Sequence, residues 1–299
     1  MTTRSDETAR APFTMPLRLR RGRPVRPGAI DWEFDVALLV FAAFVALAVA
    51  GVFLQHRATA IDVANALESP SGQHWFGTDS EGRDVFARVA VGTIISFAAA
   101  AATVLIGAAG GVLIAVTCGL GPRWLDTVLM RLTDTVLAFP QLLLALAISV
   151  ALGPGLISAG VGIVVTIIPI FARTLRAEAV RSRSEPFIES ARTIGLSTPH
   201  IAVRHVVPYL STTLTVQVAA NFGAAVLTLA GLSFIGVGAQ PPTPEWGAMI
   251  TDGLQNALTG QWWIGVCPGM ALLLLVASLN VLSDRVRARG GLRRKAGAL

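Results

Sequence analysis

Long apolar stretches are the feature that most constrains this chain. A helix needs about 20 apolar residues to cross about 30 Å of hydrocarbon, and six stretches of the 299-residue sequence approach that length. Only 14% of the residues are charged, whereas soluble domains average about 25%. We therefore predict an all-α, polytopic membrane protein. The six predicted transmembrane helices cover residues 36–54, 93–117, 127–151, 156–171, 214–236 and 262–282.

The positions of the positive charges predict the orientation of these helices. Lysine and arginine concentrate at the cytoplasmic ends of membrane spans. If the six spans are placed as above, 20 of the 24 lysine and arginine residues fall on one side. Both termini are therefore predicted to be cytoplasmic. The expected organisation is a cytoplasmic tail (1–35), a six-helix membrane domain (36–282) and a basic cytoplasmic tail (283–299).

Few ionisable residues fall within the spans. Arg131 and Asp134 lie one helical turn apart near the cytoplasmic end of the third span, where a local ion pair is the simplest interpretation. Transporters driven by ion gradients place such groups near the midplane, so we expect the energy to come from elsewhere. Pro140, in the same span, can kink its helix. These three residues are candidates for a gate or an interface.

The segment between the fourth and fifth spans, residues 173–208, is longer than a simple turn requires. Its proline and glycine positions predict two short helices. The first has Pro186 in its first turn and ends at Gly195, and the second begins at Thr198 and stops before Pro208. An amphipathic helix lying on anionic lipid is one interpretation of the segment. A docking surface for a soluble partner is the other.

A short motif lies in the first of these helices. Glu189-Ser190-Ala191 is followed by Gly195, with Pro208 thirteen positions further on. This pattern resembles the Glu-Ala-Ala loop of the membrane subunits of ATP-binding-cassette importers, although alanine is usual at Ser190. The resemblance implies a coupling helix that sits in a cleft of a cytoplasmic ATPase subunit. Glu189 would orient the segment, Ala191 would permit close packing, and Gly195 would allow the turn.

The outer stretch 74–84 reads His-Trp-Phe-Gly-Thr-Asp-Ser-Glu-Gly-Arg-Asp. Glycine, threonine and aspartate suit tight turns and helix caps, so one interpretation is local chemistry that opens an interfacial helix. The other is a docking site for an extracytoplasmic binding protein. The candidate residues of this outer signature are Gly77, Thr78, Asp79, Gly82, Arg83 and Asp84.

Over about residues 30–290 the chain resembles the C-type permease subunit of the dipeptide, oligopeptide and nickel importers. The outer signature carries part of this resemblance. Leu229 is a departure, because a glutamate is usual at that position. Three further blocks carry the rest: residues 129–134 with 138–140, residues 232–234, and residues 240–247.

This resemblance implies a type I importer permease fold in the bacterial cytoplasmic membrane. The implied partners are a homologous B-type permease, two ATPase subunits or domains, and a substrate-binding protein. ATP and Mg²⁺ would be held by the ATPases, because this chain has no G-x-x-x-x-G-K-[ST] phosphate loop. We therefore expect a translocation subunit that is not an enzyme and binds no cofactor or metal.

The resemblance implies that dipeptides or oligopeptides are carried. Nickel or another small solute remains an alternative within the same family. A gradient-driven secondary transporter and a membrane scaffold that moves nothing are the alternatives from other classes. The binding protein does much of the selecting in this family, and it is a separate chain.

Overall fold

The computed structural model describes residues 32–296, and every regular element in that range is helical. The predicted tail 1–35 lies outside the described residues except for its last four, which open the first helix. The helices are α1 (Trp32–Thr59), α2 (Val85–Leu120), α3 (Arg123–Leu137), α4 (Gln141–Leu152), α5 (Leu156–Arg181), α6 (Pro186–Thr193), α7 (Thr198–Ile201), α8 (Val207–Phe234), α9 (Trp246–Ala257) and α10 (Trp263–Ala296).

Within the described residues, five helices are long and apolar enough to cross a membrane: α1, α2, α5, α10, and α8 together with the segment that leads into it. The predicted third span differs from expectation, because it breaks into α3 and α4 with a bend of 90°. Pro140 occupies the residue before α4 and cannot donate a backbone hydrogen bond to α3. At 1.5 Å per residue α4 is only about 18 Å long. The two helices make a sixth crossing only as one broken span.

The structure also corrects the end of the second cytoplasmic helix, which was predicted to stop before Pro208. Instead, Ala202–Val206 forms a π-helical segment that joins α7 to α8 without interruption. Proline lacks an N–H and its ring collides with the carbonyl four residues earlier in a regular α-helix. The wider π turns immediately before Pro208 change this spacing, so the helix continues into the fifth span.

Several other helix boundaries lie beyond the predicted ones, and the C-terminal ends of α5 and α10 differ most. Helix α5 extends ten residues past its predicted end at residue 171, so it includes residues 173–181 of the segment that was predicted to connect the fourth and fifth spans. Helix α10 continues to Ala296, so the predicted basic tail 283–299 is largely an extension of the last helix. Residues 297–299 lie outside the described range.

Helix α2 lies at the centre of the bundle and contacts α1, α3, α5, α8, α9 and α10. The turn Gly153-Pro154-Gly155 joins α4 to α5, and these two helices pack against each other. The core runs the length of the bundle and continues beneath α6, where Ile188 and Ala191 are buried.

Small residues bring α2 and α5 close together. A Cβ atom on Gly107 would lie 2.0 Å from Ile167 Cγ2, and one on Gly111 would lie 2.3 Å from Phe171 Cβ. Such spacing of small residues permits close helix approach in membranes. The GxxxG pair of α2 therefore packs against a helix of the same chain.

Gly111→Ala is expected to destabilise the protein by about 1–3 kcal/mol, the usual cost of overpacking a core. The new methyl group would collide with α5. Gly231→Ala in α8 is the matched control, because no atom lies within 4 Å of its Cβ position; removing a helical glycine there gains about 0.5–1 kcal/mol. Thermal unfolding of the purified chain in one detergent measures both. Equal transition temperatures for the two variants would contradict the packing argument.

Candidate functional site

Helix α6 has well-defined ends. Pro186 occupies its first turn, as predicted, and Gly195 adopts φ +80° just after its last turn. The N–H of Leu196 donates to the Ala191 carbonyl (3.1 Å) and the N–H of Gly195 donates to the Arg192 carbonyl (3.0 Å). These two bonds are the Schellman arrangement that ends helices at glycine. The predicted helix end at Gly195 is confirmed.

Only one face of α6 packs against the rest of the described chain. Ile188 and Ala191 are buried, and they join the core beneath the helix. Phe187 lies at the margin, and Ile194 is 74% exposed. The apolar side chain of Ile194 therefore points away from this chain and lies on the exposed face of α6.

The polar residues of the motif lie on the same exposed face of α6. The side chains of Glu189 and Ser190 are exposed, and the Ser190 hydroxyl donates to the Pro186 carbonyl (2.9 Å). Among the described residues, the Glu189 carboxylate forms no ion pair or hydrogen bond. No atom lies within 4 Å of a Cβ built on Gly195. Pro208 is also exposed but lies apart from α6, at the start of α8.

An arginine missed by the motif search ties this segment to α2. The guanidinium of Arg183, in the 3₁₀ turn before α6, donates to the carbonyls of Cys118 and Gly121 (both 2.8 Å) and also to that of Gly119. These carbonyls lie at the end of α2 and have no intrahelical partners there. In the sequence Arg183 is one of many arginines in segments predicted to be cytoplasmic, so only its position in the fold identifies it.

A second contact ties the segment to α8. The Tyr209 hydroxyl donates to Glu185 Oε1 (3.1 Å), and the rings of Tyr209 and Phe187 lie 5.8 Å apart. Glu185 is the residue immediately before α6. Helix α6 and the turn before it are thus joined to the central helix α2 and to the fifth span α8.

The predicted ion pair between Arg131 and Asp134 is wrong. Asp134 instead pairs with Arg173 on α5, because α3 crosses α5 and brings a competing cation to the same carboxylate. A second pair, Arg176 with Asp126, is bidentate at 2.5 and 2.6 Å. The two pairs hold α3 across the C-terminal half of α5. The three gate candidates, Arg131, Asp134 and Pro140, therefore lie on the bent helix pair α3–α4 and not on a straight span.

The outer signature folds as a turn that caps α2. Asp84 Oδ1 accepts the N–H of Ala87 (2.9 Å), and Asp84 Oδ2 lies 2.9 Å from His74 Nδ1. Gly82 adopts φ +74°, and a Cβ atom there would lie 1.8 Å from the Asp62 carbonyl oxygen. Gly77 also adopts a positive φ, +71°. The residues therefore supply turn and cap chemistry, but the helix that Asp84 caps is the membrane-spanning α2 and not the interfacial helix that was expected.

Two further residues of the signature form a buried polar cluster. Asp79 Oδ2 accepts from Arg83 Nε (2.8 Å) and lies 3.3 Å from Arg88 Nε, and all three side chains are almost fully buried. The Thr78 hydroxyl donates to the Asn65 carbonyl (2.6 Å). This arrangement stabilises the outer end of the bundle. Docking of a binding protein on it stays a prediction.

A carboxyl group that the sequence search did not select also lies at this end. Glu245 is fully buried and caps α9: its Oε2 accepts the N–H of Ala248 (3.1 Å), and Ser96 Oγ on α2 donates to Oε1 (3.3 Å). Burial raises the pKa of Glu245. Leu229, at the position where a glutamate is usual, is buried in α8. In residues 32–296 no three His, Cys, Asp or Glu side chains group as metal ligands do.

The family described as "Binding-protein-dependent transport system inner membrane component" matches residues 111–289, a region that includes α6 and its contacts to α8. The chain belongs to this family. It is therefore the inner-membrane permease subunit of an ATP-binding-cassette importer. Its family lacks nucleotide binding, the ATPases are separate subunits, and the permease itself is not an enzyme.

Several curated relatives cover most of the chain. It is 40% identical to the glutathione transport system permease protein GsiD of Escherichia coli (strain 536 / UPEC) and to that of Shigella boydii serotype 4 (strain Sb227), over 76% of this chain and 74% of theirs. It is 35% identical to the dipeptide transport system permease protein DppC of Alkalihalophilus pseudofirmus, over 84% and 83%.

Proposed function

We propose that this chain is the translocation subunit of an ATP-driven importer of dipeptides and short oligopeptides, with α6 as its coupling helix. Relatives named for glutathione and for dipeptide transport support a short peptide as the substrate. The sequence blocks that resemble C-type permeases support the same substrate class.

The observation that carries the proposal is the arrangement of α6. One side of this helix, with Ile188 and Ala191, is anchored in the core, and the other side presents Glu189, Ile194 and Gly195 to the surroundings. A short capped helix with an apolar anchor beside a carboxylate suits insertion into a cleft of a soluble partner. Buried apolar anchors and charged neighbours are the usual elements of such interfaces.

The contacts of α6 also give a route by which motion reaches the spans. A displacement of α6 would pull on α2 through Arg183 and on α8 through Tyr209. Packed elements of this kind move as units, because close-packed interiors deform little. ATPase closure would therefore shift α2 and α8 together, and the broken element α3–α4 would follow α5 through its two ion pairs.

The proposed assembly contains a B-type permease, two ATPase subunits or domains and an extracytoplasmic binding protein. The orientation with α6 and both termini in the cytoplasm rests on the arginine distribution. The outer signature would then face the binding protein. Its exposed residues, and not the buried Asp79 and Arg83, would make that contact.

The direct test reconstitutes the co-expressed complex in proteoliposomes and measures uptake of a radiolabelled dipeptide, glutathione and nickel, each with and without ATP. ATP-dependent dipeptide uptake is expected. Uptake of nickel alone would replace the peptide proposal with the metal alternative. Dipeptide uptake that follows a proton or sodium gradient without ATP would overturn the importer mechanism.

Tyr209→Phe is expected to weaken coupling, because it removes the hydrogen bond to Glu185 without changing the ring. A hydrogen bond is worth about 1 kcal/mol, so the ratio of peptide imported to ATP hydrolysed should fall by up to about fivefold. Glu185→Gln is the control, since its amide oxygen still accepts. An unchanged ratio in Tyr209→Phe would show that this contact does not transmit motion.

A further inference from the structure

A groove that the proposed coupling mechanism does not use lies at the opposite end of the bundle from α6. It runs between the end of α1 and the loop that leads into α2, and it has two connected halves of about 490 and 560 Å³. Small-molecule sites commonly measure about 300–1,000 Å³. Each half is therefore large enough for a specific ligand, and the two halves differ in chemistry.

Apolar side chains form most of the lower half of the groove, which also contacts Gln73 and the buried Asp84. Phe53, which is 83% exposed, lines it together with Leu54 and Phe86. Trp75 closes its upper margin: its indole is 65% exposed, and its ring centroid lies 4.9 Å from that of Phe86. Indole prefers the headgroup level of a bilayer. The apolar half is thus placed where lipid acyl chains begin.

Arg57 lies at the junction and lines both halves. It follows Phe53 by one helical turn on α1, so both side chains lie on the same face. Its side chain is exposed, and it makes no ion pair or hydrogen bond with any residue in the described part of the chain. The carbonyl end of α1 adds a favourable field for this cation, and no carboxylate in the described part of the chain forms an ion pair with it.

The upper half of the groove contains carboxylates. Asp84 is buried and already accepts from Ala87 while it contacts His74. Asp62, beyond the end of α1, is exposed, and its side chain accepts only from Asn65 Nδ2 (2.8 Å) within the described range. The groove therefore has the exposed cation Arg57 where its two halves meet and the exposed anion Asp62 in the upper half only.

We propose that this groove binds one phospholipid whose headgroup carries a primary ammonium beyond its phosphate, namely phosphatidylethanolamine. An acyl chain lies along Phe53, the phosphate meets Arg57, and the ammonium meets Asp62. The order apolar, positive, negative along the groove matches the order acyl chain, phosphate, ammonium in this lipid. Phosphatidylglycerol would bring no cation to Asp62, and a choline headgroup has no N–H to donate.

The site is independent of the coupling assignment, because it requires only that the chain spans a membrane. It gives the exposed end of α1 a defined lipid neighbour beside the turn that caps α2. The same turn contains the outer signature, so the bound lipid would lie next to the proposed binding-protein surface.

The experiment titrates phosphatidylethanolamine, phosphatidylcholine and phosphatidylglycerol with identical acyl chains onto the delipidated, full-length complex and counts bound lipid by native mass spectrometry. Wild type should retain one more phosphatidylethanolamine than Arg57→Gln. The affinity lost should be about tenfold, which corresponds to about 1.4 kcal/mol. Arg57→Lys should retain the lipid. Arg123→Gln, an exposed arginine at the opposite end, is the matched control and should not change binding.

Asp62→Asn separates the headgroup classes. It should remove the preference for phosphatidylethanolamine over phosphatidylcholine, and it should not weaken phosphatidylglycerol. Soluble phosphoethanolamine, which lacks acyl chains, should not displace the lipid. No preference in wild type, or equal retention by Arg57→Gln, would overturn the proposal. A photocrosslinker at position 57 that captures a protein subunit in place of lipid would also overturn it and identify a protein interface.

Discussion

Gly195→Arg is expected to abolish peptide-stimulated ATP hydrolysis by the assembled complex while leaving membrane insertion intact. Gly195 has φ +80°, a conformation that costs other L-residues about 1–2 kcal/mol. No atom of the described residues lies within 4 Å of a Cβ built there, so we expect the fold to survive. The arginine would instead project from the turn at the end of α6, on the surface proposed to meet the ATPase.

An arginine that keeps α6 from its place on the ATPase would remove the contacts of an interface anchor. Such a loss commonly costs about 2 kcal/mol or more, which lowers the affinity at least about 30-fold. The measurement is ATP hydrolysis in proteoliposomes with and without peptide and binding protein. Gly195→Asn is the matched control, because asparagine tolerates the left-handed conformation and is small, and it should retain most of the stimulation. Full stimulation in Gly195→Arg would refute the coupling-helix assignment.

Asp79→Ala is expected to destabilise the outer end of the bundle by about 3–5 kcal/mol, the usual cost of leaving a buried charge without its partner. This carboxylate lies between the guanidinium groups of Arg83 and Arg88, and all three side chains are almost fully buried. Its Oδ1 also accepts the N–H of Glu81 and that of Arg83. Without this carboxylate, the buried guanidinium groups of Arg83 and Arg88 and the two backbone N–H groups would each lose a partner.

Glu81→Ala is the matched control for this cluster. Glu81 also pairs with Arg83 (2.9 Å), but its side chain is 44% exposed, and exposed ion pairs contribute about 0–1 kcal/mol. The stability of both variants is compared by thermal unfolding and by the yield of intact complex. If Asp79→Ala unfolds no earlier than Glu81→Ala, the cluster is not what holds the outer end together.

Several predictions needed only neighbouring residues. The long apolar stretches identified the helices that cross the membrane, because twenty consecutive apolar side chains have few stable alternatives to a spanning helix. The end of α6 at Gly195 was predictable for a similar reason. A Schellman turn involves about six consecutive residues, and glycine is the residue that its geometry favours.

Other predictions failed at proline residues, because a proline is compatible with a kinked, an ended or a continuing helix. Pro140 was expected to kink the third span, but the helix breaks through 90° there. Pro208 was expected to end a helix, but a π-helical segment carries the chain past it. Proline removes one hydrogen bond in every case. Whether a helix bends, ends or continues then depends on what packs against it.

The sequence by itself determined the class of protein, the positions of the apolar helices and the motif of the coupling segment. Only the tertiary structure decided which charges meet. Asp134 pairs with Arg173, 39 residues away, and not with its neighbour Arg131, and Arg183 donates to the carbonyl of Gly121, 62 residues earlier, at the end of α2. Helix formation is decided by residues within one or two turns. An ion pair requires two side chains that only the packing of separate helices brings within reach.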